Sequence, residues 1–234
     1  MTIQEMHTEF NLLMDKAGGA GAPSFLVSEI DIFLNAAIER FVTKRAFGNN
    51  ARRTGFEEDQ KRRDDLRNLI ANYQYTVPQG ALPENSPNKD NGVMVKLPKD
   101  YRHAISEECT ILFKNETINK IGVKPITYDR YNSIIKDPFN SPNENLVYRL
   151  DYGGSISEGM ITNAVELIAS DNVTITTYFL RYLKNPNVVS FSGESCNLAK
   201  HTHREIVRMA VVEALENIES PRYQSSKIEL NEIE

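Results

Sequence analysis

The chain has 234 residues, 40% of them apolar and 25% charged, with a net charge of −5. That is enough for one large domain or two small ones with proper cores, while the acidic balance argues against a general nucleic-acid binder, which neutralises phosphates with surplus Lys and Arg. Two cysteines, Cys109 and Cys196, are too few for a disulfide scaffold, no apolar run approaches the roughly 18 residues that cross a bilayer, and the start, MTIQEMHTEF, lacks a basic-then-apolar export pattern. The expectation is a protein folded in a cytoplasm with free thiols and no membrane partner.

Thr2 and Glu5 form a capping box, and Ile3, Met6, Phe10 and Leu13 follow at helical spacing, so a first helix is expected from Thr2 to about Lys16. AGGAGAPS then breaks it. A second helix is expected with Ser28 as its cap and Gly48 as its end. Its core stripe is Ile30, Phe33, Leu34, Ala37, Ile38, Phe41 and Val42, and Ile32 lies on the opposite face where the pattern wants a polar group. A second T-x-x-E, Thr54 to Glu57, opens a third helix expected to reach Tyr73. Glu57–Lys61, Glu58–Arg62 and Asp59–Arg63 are acid-then-base pairs one turn apart, worth about 0.2–0.5 kcal/mol each. Leu66, Leu69, Ile70 and Tyr73 rejoin a core.

TVPQGALPENSPNKDNG, residues 76–92, reads as a linker. Strands are then expected at 93–97, 103–113 and 146–152, the last with Leu146, Tyr148, Leu150 and Tyr152 on one face. AVELIAS and VTITTYFLRYL follow, joined at Asp171-Asn172 as a hairpin, and a short helix is expected at 127–136. The last helix should run from about His203 to Ser220, ahead of Pro221, on the stripe Ile206, Val207, Ala210, Val211, Ala214, Leu215 and Ile218. Met209 and Val212 share its far side with Glu205, Arg208 and Glu216.

The stretch CNLAKHTHRE concentrates one cysteine and two of the four histidines. As a metal site it fails: zinc wants three or four converging ligands, and two residues two apart on a helix diverge. Thr202 to Glu205 instead spells a third capping box. Cys196 beside His201 and His203 is a weak nucleophile signal with no G-x-S-x-G elbow near it. Arg52-Arg53 and Lys61-Arg62-Arg63 are locally basic, but acidic neighbours make a solvated helix face the simpler reading. What remains are interaction features. Ile32, Met209 and Val212 on polar helix faces, and Tyr223, Ile228 and Leu230 in an extended tail that adds a strand to a neighbour, are the candidate interface residues.

Taken together, EIDIFLNAAIERFV, GFEEDQKRRDDLRNLI, VKLPKDYRHA and HTHREIVRMAVVEALENIESPRY resemble connector ring proteins of crAss-like phages, and more broadly the head-to-tail adaptors of podoviruses. The resemblance implies a helical domain paired with a β-rich one. It also implies a homo-oligomeric ring, commonly dodecameric, that binds the portal and other ring or tail proteins in the virion neck and lets DNA pass without sequence-specific binding. Assembly in the bacterial host cytoplasm, no enzymatic activity and no cofactor or metal go with it.

The expected fold is α+β: a helical bundle from 1–75 and 201–220, an inserted antiparallel β-sandwich or barrel at 92–190, and an extended C-terminal tail at 221–234. The alternatives are a small cytosolic hydrolase using Cys196, His201 and His203, and a binding module that takes peptides by strand addition.

Overall fold

The computed structural model describes residues 1–18, 25–47, 57–77, 92–152, 164–218 and 223–232. In chain order the elements are α1 (Ile3–Gly18), α2 (Val27–Phe47), α3 (Gln60–Leu66), β1 (Ile70–Thr76), β2 (Gly92–Lys96), β3 (Tyr101–Phe113), β4 (Glu116–Ile126), α4 (Tyr128–Lys136), β5 (Val147–Asp151), β6 (Ala164–Ile168), β7 (Val173–Lys184), α5 (His203–Asn217) and α6 (Tyr223–Glu232). The protein is α+β. It forms two units: one from Met1–Leu69 with Pro186–Glu234, the other from Ile70–Asn185.

The first unit is helical. Its opening box is made as the sequence spells it: the Glu5 N–H donates to Thr2 Oγ1 at 3.2 Å and the Thr2 N–H to Glu5 Oε2 at 2.9 Å. At α2 the cap moves. Glu29 Oε2 accepts the Leu26 N–H at 2.7 Å, so the helix opens at Leu26 rather than at Ser28. The stripe Ile30, Leu34, Ala37, Ile38, Phe41 and Val42 is buried, and so are Ile206, Val207, Ala210, Val211, Ala214 and Leu215 of α5. Helix α5 packs against α1, α2 and α6, so it is covered on more than one side.

The third expected helix is the main departure. Helix α3 begins only at Gln60, because Asp59 caps it by accepting the Lys61 N–H at 2.9 Å. Residues 57–59 therefore precede the helix, so the acidic member of each expected i, i+4 pair lies ahead of it, and Arg62 lies 3.9 Å from Asp59. Thr54 and Gly48 lie outside the described residues. The helix ends at Leu66, a 3₁₀ turn follows at Arg67–Leu69, and β1 begins at Ile70. The reason is a second periodicity under the first. Ala71, Tyr73 and Tyr75 are half-buried while Asn72, Gln74 and Thr76 are exposed, a period of two that pairing with β7 selects. The segment expected as an extended tail carries α6.

The second unit is one seven-stranded sheet in the order β1-β7-β3-β4-β5-β6-β2, curled into a half-barrel. All neighbours are antiparallel except β4 and β5. A parallel pair needs a crossover, and α4 supplies it. Tyr131 and Ile134 of α4 pack with Tyr148, Leu150 and Ile168 on the outer face, while Val147, Val165 and Leu167 join the inner core with Ile111, Ile175, Tyr178 and Leu180. Coverage on both faces is why β5 and β6 read as nearly unbroken buried runs.

Strand β4 joins the two halves. Its first part pairs with β3 and its last four residues with β5. The ladder to β3 shifts register opposite Cys109–Ile111, where Lys120 takes φ 61°, a bulge that bends the strand. The hairpin before it turns on Lys114 and Asn115, at φ 48° and 66°, the left-handed pair of a tight two-residue loop. The expected hairpin at Asp171-Asn172 is a turn, with the Val173 N–H donating to the Ser170 carbonyl at 2.9 Å. Its strands do not pair, however. β6 sits between β5 and β2, and β7 between β1 and β3. The turn carries the chain from one part of the curled sheet to another, with both strands contributing to the same inner core.

Within that core Arg149 of β5 makes an ion pair with Glu107 of β3, their side chains 10% and 6% exposed. Arg149 Nε also lies 3.2 Å from Asp151. Burial pushes the Glu107 carboxyl above the usual range, and Arg149 offsets only part of that. Removing one partner of a buried pair leaves an uncompensated charge, so Arg149→Met is expected to cost about 3–5 kcal/mol. Glu107→Leu combined with Arg149→Met should recover most of the loss. Urea titrations followed by tyrosine fluorescence (the chain has ten Tyr and no Trp) measure both; a double variant as unstable as Arg149→Met contradicts this account.

Candidate assembly surfaces

The histidine-rich stretch is resolved by its partners. Arg45, at the end of α2, is 4% exposed. Its Nε lies 2.9 Å from Asp65 Oδ2, and its Nη2 donates to both oxygens of Glu205, at 2.8 and 2.9 Å. His201 Nε2 lies 2.8 Å from the other Asp65 oxygen. Glu205 is thus drawn to Arg45, and Thr202 Oγ1 donates to the Ala199 carbonyl at 2.8 Å instead of capping α5. The third capping box is not made, because a 3₁₀ turn at Lys200–Thr202 already leads into the helix. His203 is buried, with Nε2 and Nδ1 each 3.1 Å from a carbonyl oxygen, of Leu198 and Met1. It ties the start of the chain to the start of α5.

Neither thiol is activated. Burial pushes Cys109 up to about 12 and raises Cys196, the opposite of what a nucleophilic cysteine needs. Among the described residues no group of three His, Cys, Asp or Glu side chains is placed to hold a metal. A hollow of about 500 Å³ beside α4 is lined by Lys124, Thr127, Asp129, Arg130, Asn140 and Tyr148. Asp129 sits in the first turn of α4 and accepts hydrogen bonds there, which hold its carboxyl below the usual range; the chain supplies its own anion at that helix end.

The apolar surface is divided differently from the sequence expectation. Ile32 is 67% exposed on α2. Met209 and Val212 are 2% and 5% exposed. The polar-looking side of α5 is covered: α1, α2 and α6 all pack on this helix, and α6 folds back onto it instead of extending away. Neither residue is open to a neighbour. Tyr223 is half-buried, with Lys227 Nζ 3.1 Å from its hydroxyl, and Ile228 is exposed on α6. The side chain of Leu230 lies outside the described residues. The sequence reading missed Phe139, which is 92% exposed. Asp137 Oδ1 accepts the Phe139 N–H at 3.0 Å, its Oδ2 accepts from Asn140 Nδ2 at 2.6 Å, and the Tyr148 hydroxyl donates to the Asn140 carbonyl at 2.6 Å. The aromatic is held out on a pinned turn. The Asp-Pro-Phe-Asn string was the available signal, since Asp accepting the N–H two residues on is a turn-forming habit.

Comparison with known proteins gives this arrangement its context. Residues 1–222 match the family of phage tail ring protein 3/4, and the chain belongs to that family. It is 26% identical to Ring protein 4/5 of Bacteroides phage crAss001, over 90% of this chain and 91% of the relative. It is therefore a phage tail ring protein, a structural component of the virion. Among the described residues no helix is long and apolar enough to cross a membrane.

Two outcomes follow from these placements. Met209→Ala is expected to destabilise the helical unit by about 2–5 kcal/mol, whereas Ile32→Ser should stay within about 0.5 kcal/mol; urea midpoints read by far-UV circular dichroism separate them. Burial also lowers His203 below the ordinary imidazole value, against the opposing pull of the Leu198 and Met1 carbonyls. The native state thus favours the neutral ring while the unfolded chain protonates near about 6.5. Stability from this group is complete above that pH and is lost as pH falls below it. The fall in helix melting temperature between pH 7.5 and 5.5 should accordingly be smaller in His203→Gln than in the parent; equal falls contradict the assignment.

Proposed function

We propose that the chain is one subunit of a homo-oligomeric ring in the connector that joins portal to tail, stacked on the portal or on another ring layer and enclosing the DNA channel. The observation that carries this reading is the family match across residues 1–222, which spans both structural units. Exposed apolar side chains supply the means. Ile32, Ile228 and Phe139 lie on three separate elements of the fold, and such anchors carry most of the energy of a protein interface. The net charge of −5 suits a channel that DNA must slide through, since surplus carboxylates repel phosphate rather than hold it. The ring is of the dodecameric order that the resemblance implies, and it assembles in the host cytoplasm before joining the virion.

Mass photometry of the purified protein, alone and with portal, tests the proposal. The expected species is a closed multiple of the 26.6 kDa subunit with a central hole in negative stain. A particle that stays at 26.6 kDa with portal present overturns it. Replacing one anchor, as in Ile32→Arg or Phe139→Asp, should weaken each contact by roughly thirtyfold for an anchor worth about 2 kcal/mol, with the melting temperature of the subunit unchanged.

A further inference from the structure

An open sheet ends in two strands whose outer backbone groups face no neighbour in the sheet, and here those strands are β1 and β2. Natural sheets guard such edges with charge, proline, bulges or shortness. Strand β1, IANYQYT, has seven residues, none charged and none proline, and it runs against β7 in unbroken register from Ile70 to Thr76. Strand β2, GVMVK, pairs with β6 from Gly92 to Lys96 without a shift, and its one charge stands at the last residue. Among the described residues β1 pairs in the sheet with β7 alone and β2 with β6 alone. Of the usual guards β1 has none among the described residues, and β2 has only its shortness and that terminal charge.

The two edges also fit each other. Along the sheet every neighbouring pair reverses direction except β4 and β5, so β1 and β2 run in opposite senses. When a second copy stands beside the first in the same orientation, its β2 therefore meets β1 antiparallel, the pairing with the better hydrogen-bond geometry. The side chains agree as well. Ala71, Tyr73 and Tyr75 of β1 pack on the inner core, and so do Val93 and Val95 of β2, which leaves Asn72, Gln74 and Thr76 exposed on the outer face of β1 and Met94 on the outer face of β2. Joining the edges lays tyrosines beside valines, an aromatic–β-branched combination that stabilises cross-strand pairs, and puts polar residues beside Met94 and Lys96.

We propose that β1 of each copy adds to β2 of the next, so that the sheet continues from subunit to subunit around the ring. Two unlike edges make a head-to-tail contact, and a fixed rotation between copies closes it. The inference rests on the ring reading above and goes beyond it by naming the lateral joint.

The test uses the full chain carrying Cys196→Ser, with buried Cys109 left in place. Met94→Cys is combined in turn with Asn72→Cys, Gln74→Cys and Thr76→Cys, which allows for three registers. Rings are first identified by native mass spectrometry, then oxidised and run on a denaturing gel without reductant. The expected result is a ladder of covalent oligomers from at least one pair, collapsing to monomer with reductant and absent from the single-cysteine parents. Gln74→Lys with Thr76→Lys, at exposed positions, should lower the ring fraction at least tenfold with an unchanged circular dichroism spectrum. Rings that give no ladder from any pair overturn the proposal while leaving the ring reading intact. A fast-migrating cross-linked monomer also overturns it, because the edges then close within one chain. If no ring forms in the parent protein, the ring reading falls and this joint falls with it.

Discussion

The helical unit depends on one guanidinium. Its chain arrives in two pieces, with residues 70–185 lying between them, and Arg45 ties them by buried charge, beside the contact of His203 with Met1. Asp65 comes from the first piece and Glu205 from the second, and both carboxylates reach Arg45 in a site where all three side chains are at least 85% buried. Phe41, one turn earlier on α2, places its ring 5.0 Å from the same guanidinium. A buried ion pair contributes little net stability, because desolvation offsets most of the attraction. What it can add is selection: a seating of α5 that parts Glu205 from Arg45 leaves a buried charge without that partner. His201 on the free oxygen of Asp65 and His203 between two carbonyls fall into place once α5 is seated that way. What looked like a cluster of reactive residues is the seam of a discontinuous unit.

This explains what the sequence could and could not reveal. The stripes of α2 and α5 were legible because burial on a helix repeats with a period written into the local sequence. So was the box at Thr2 and Glu5, which needs only residues three apart. The same pattern at Thr202 and Glu205 misled because a distant arginine competed for the carboxylate, and no local rule includes Arg45. Met209 and Val212 looked like a free face for a similar reason. Helix α6 covers α5, yet its own sequence, YQSSKIELNE, has too little apolar pattern to announce a helix. Surface residues such as Ile32 were the easiest to place, since an exposed side chain owes nothing to the rest of the chain.

Strand pairing was the least legible feature, because it is decided by partners far away in sequence. Residues 70–73 satisfy a helical spacing and a strand alternation at once, and β7 decides between them. Strand β4 went unread because its direction changes partway: the bulge at Lys120 and the parallel pairing with β5 mean that no single alternation runs through it. The turn at Asp171-Asn172 was read correctly as a turn and wrongly as a hairpin. Turn chemistry fixes how the chain reverses, while the curl of the sheet fixes which strands then meet.

A subunit that must stay folded alone and still join its neighbours faces conflicting demands at its sheet edges. Strong edge pairing would drive open-ended chains of subunits, and the sickle-type hazard of a non-closing contact is of that kind. A short joint avoids this. With β2 only five residues long, an edge-to-edge contact of the sort proposed above is weak between two free copies. The last joint of a ring forms between subunits already held together, at a high effective concentration, so closure gains more than any single step before it. In the proposed joint, brevity in β2 and the absence of edge charge in β1 would serve different ends: the first would keep free subunits apart, and the second would let a complete ring close.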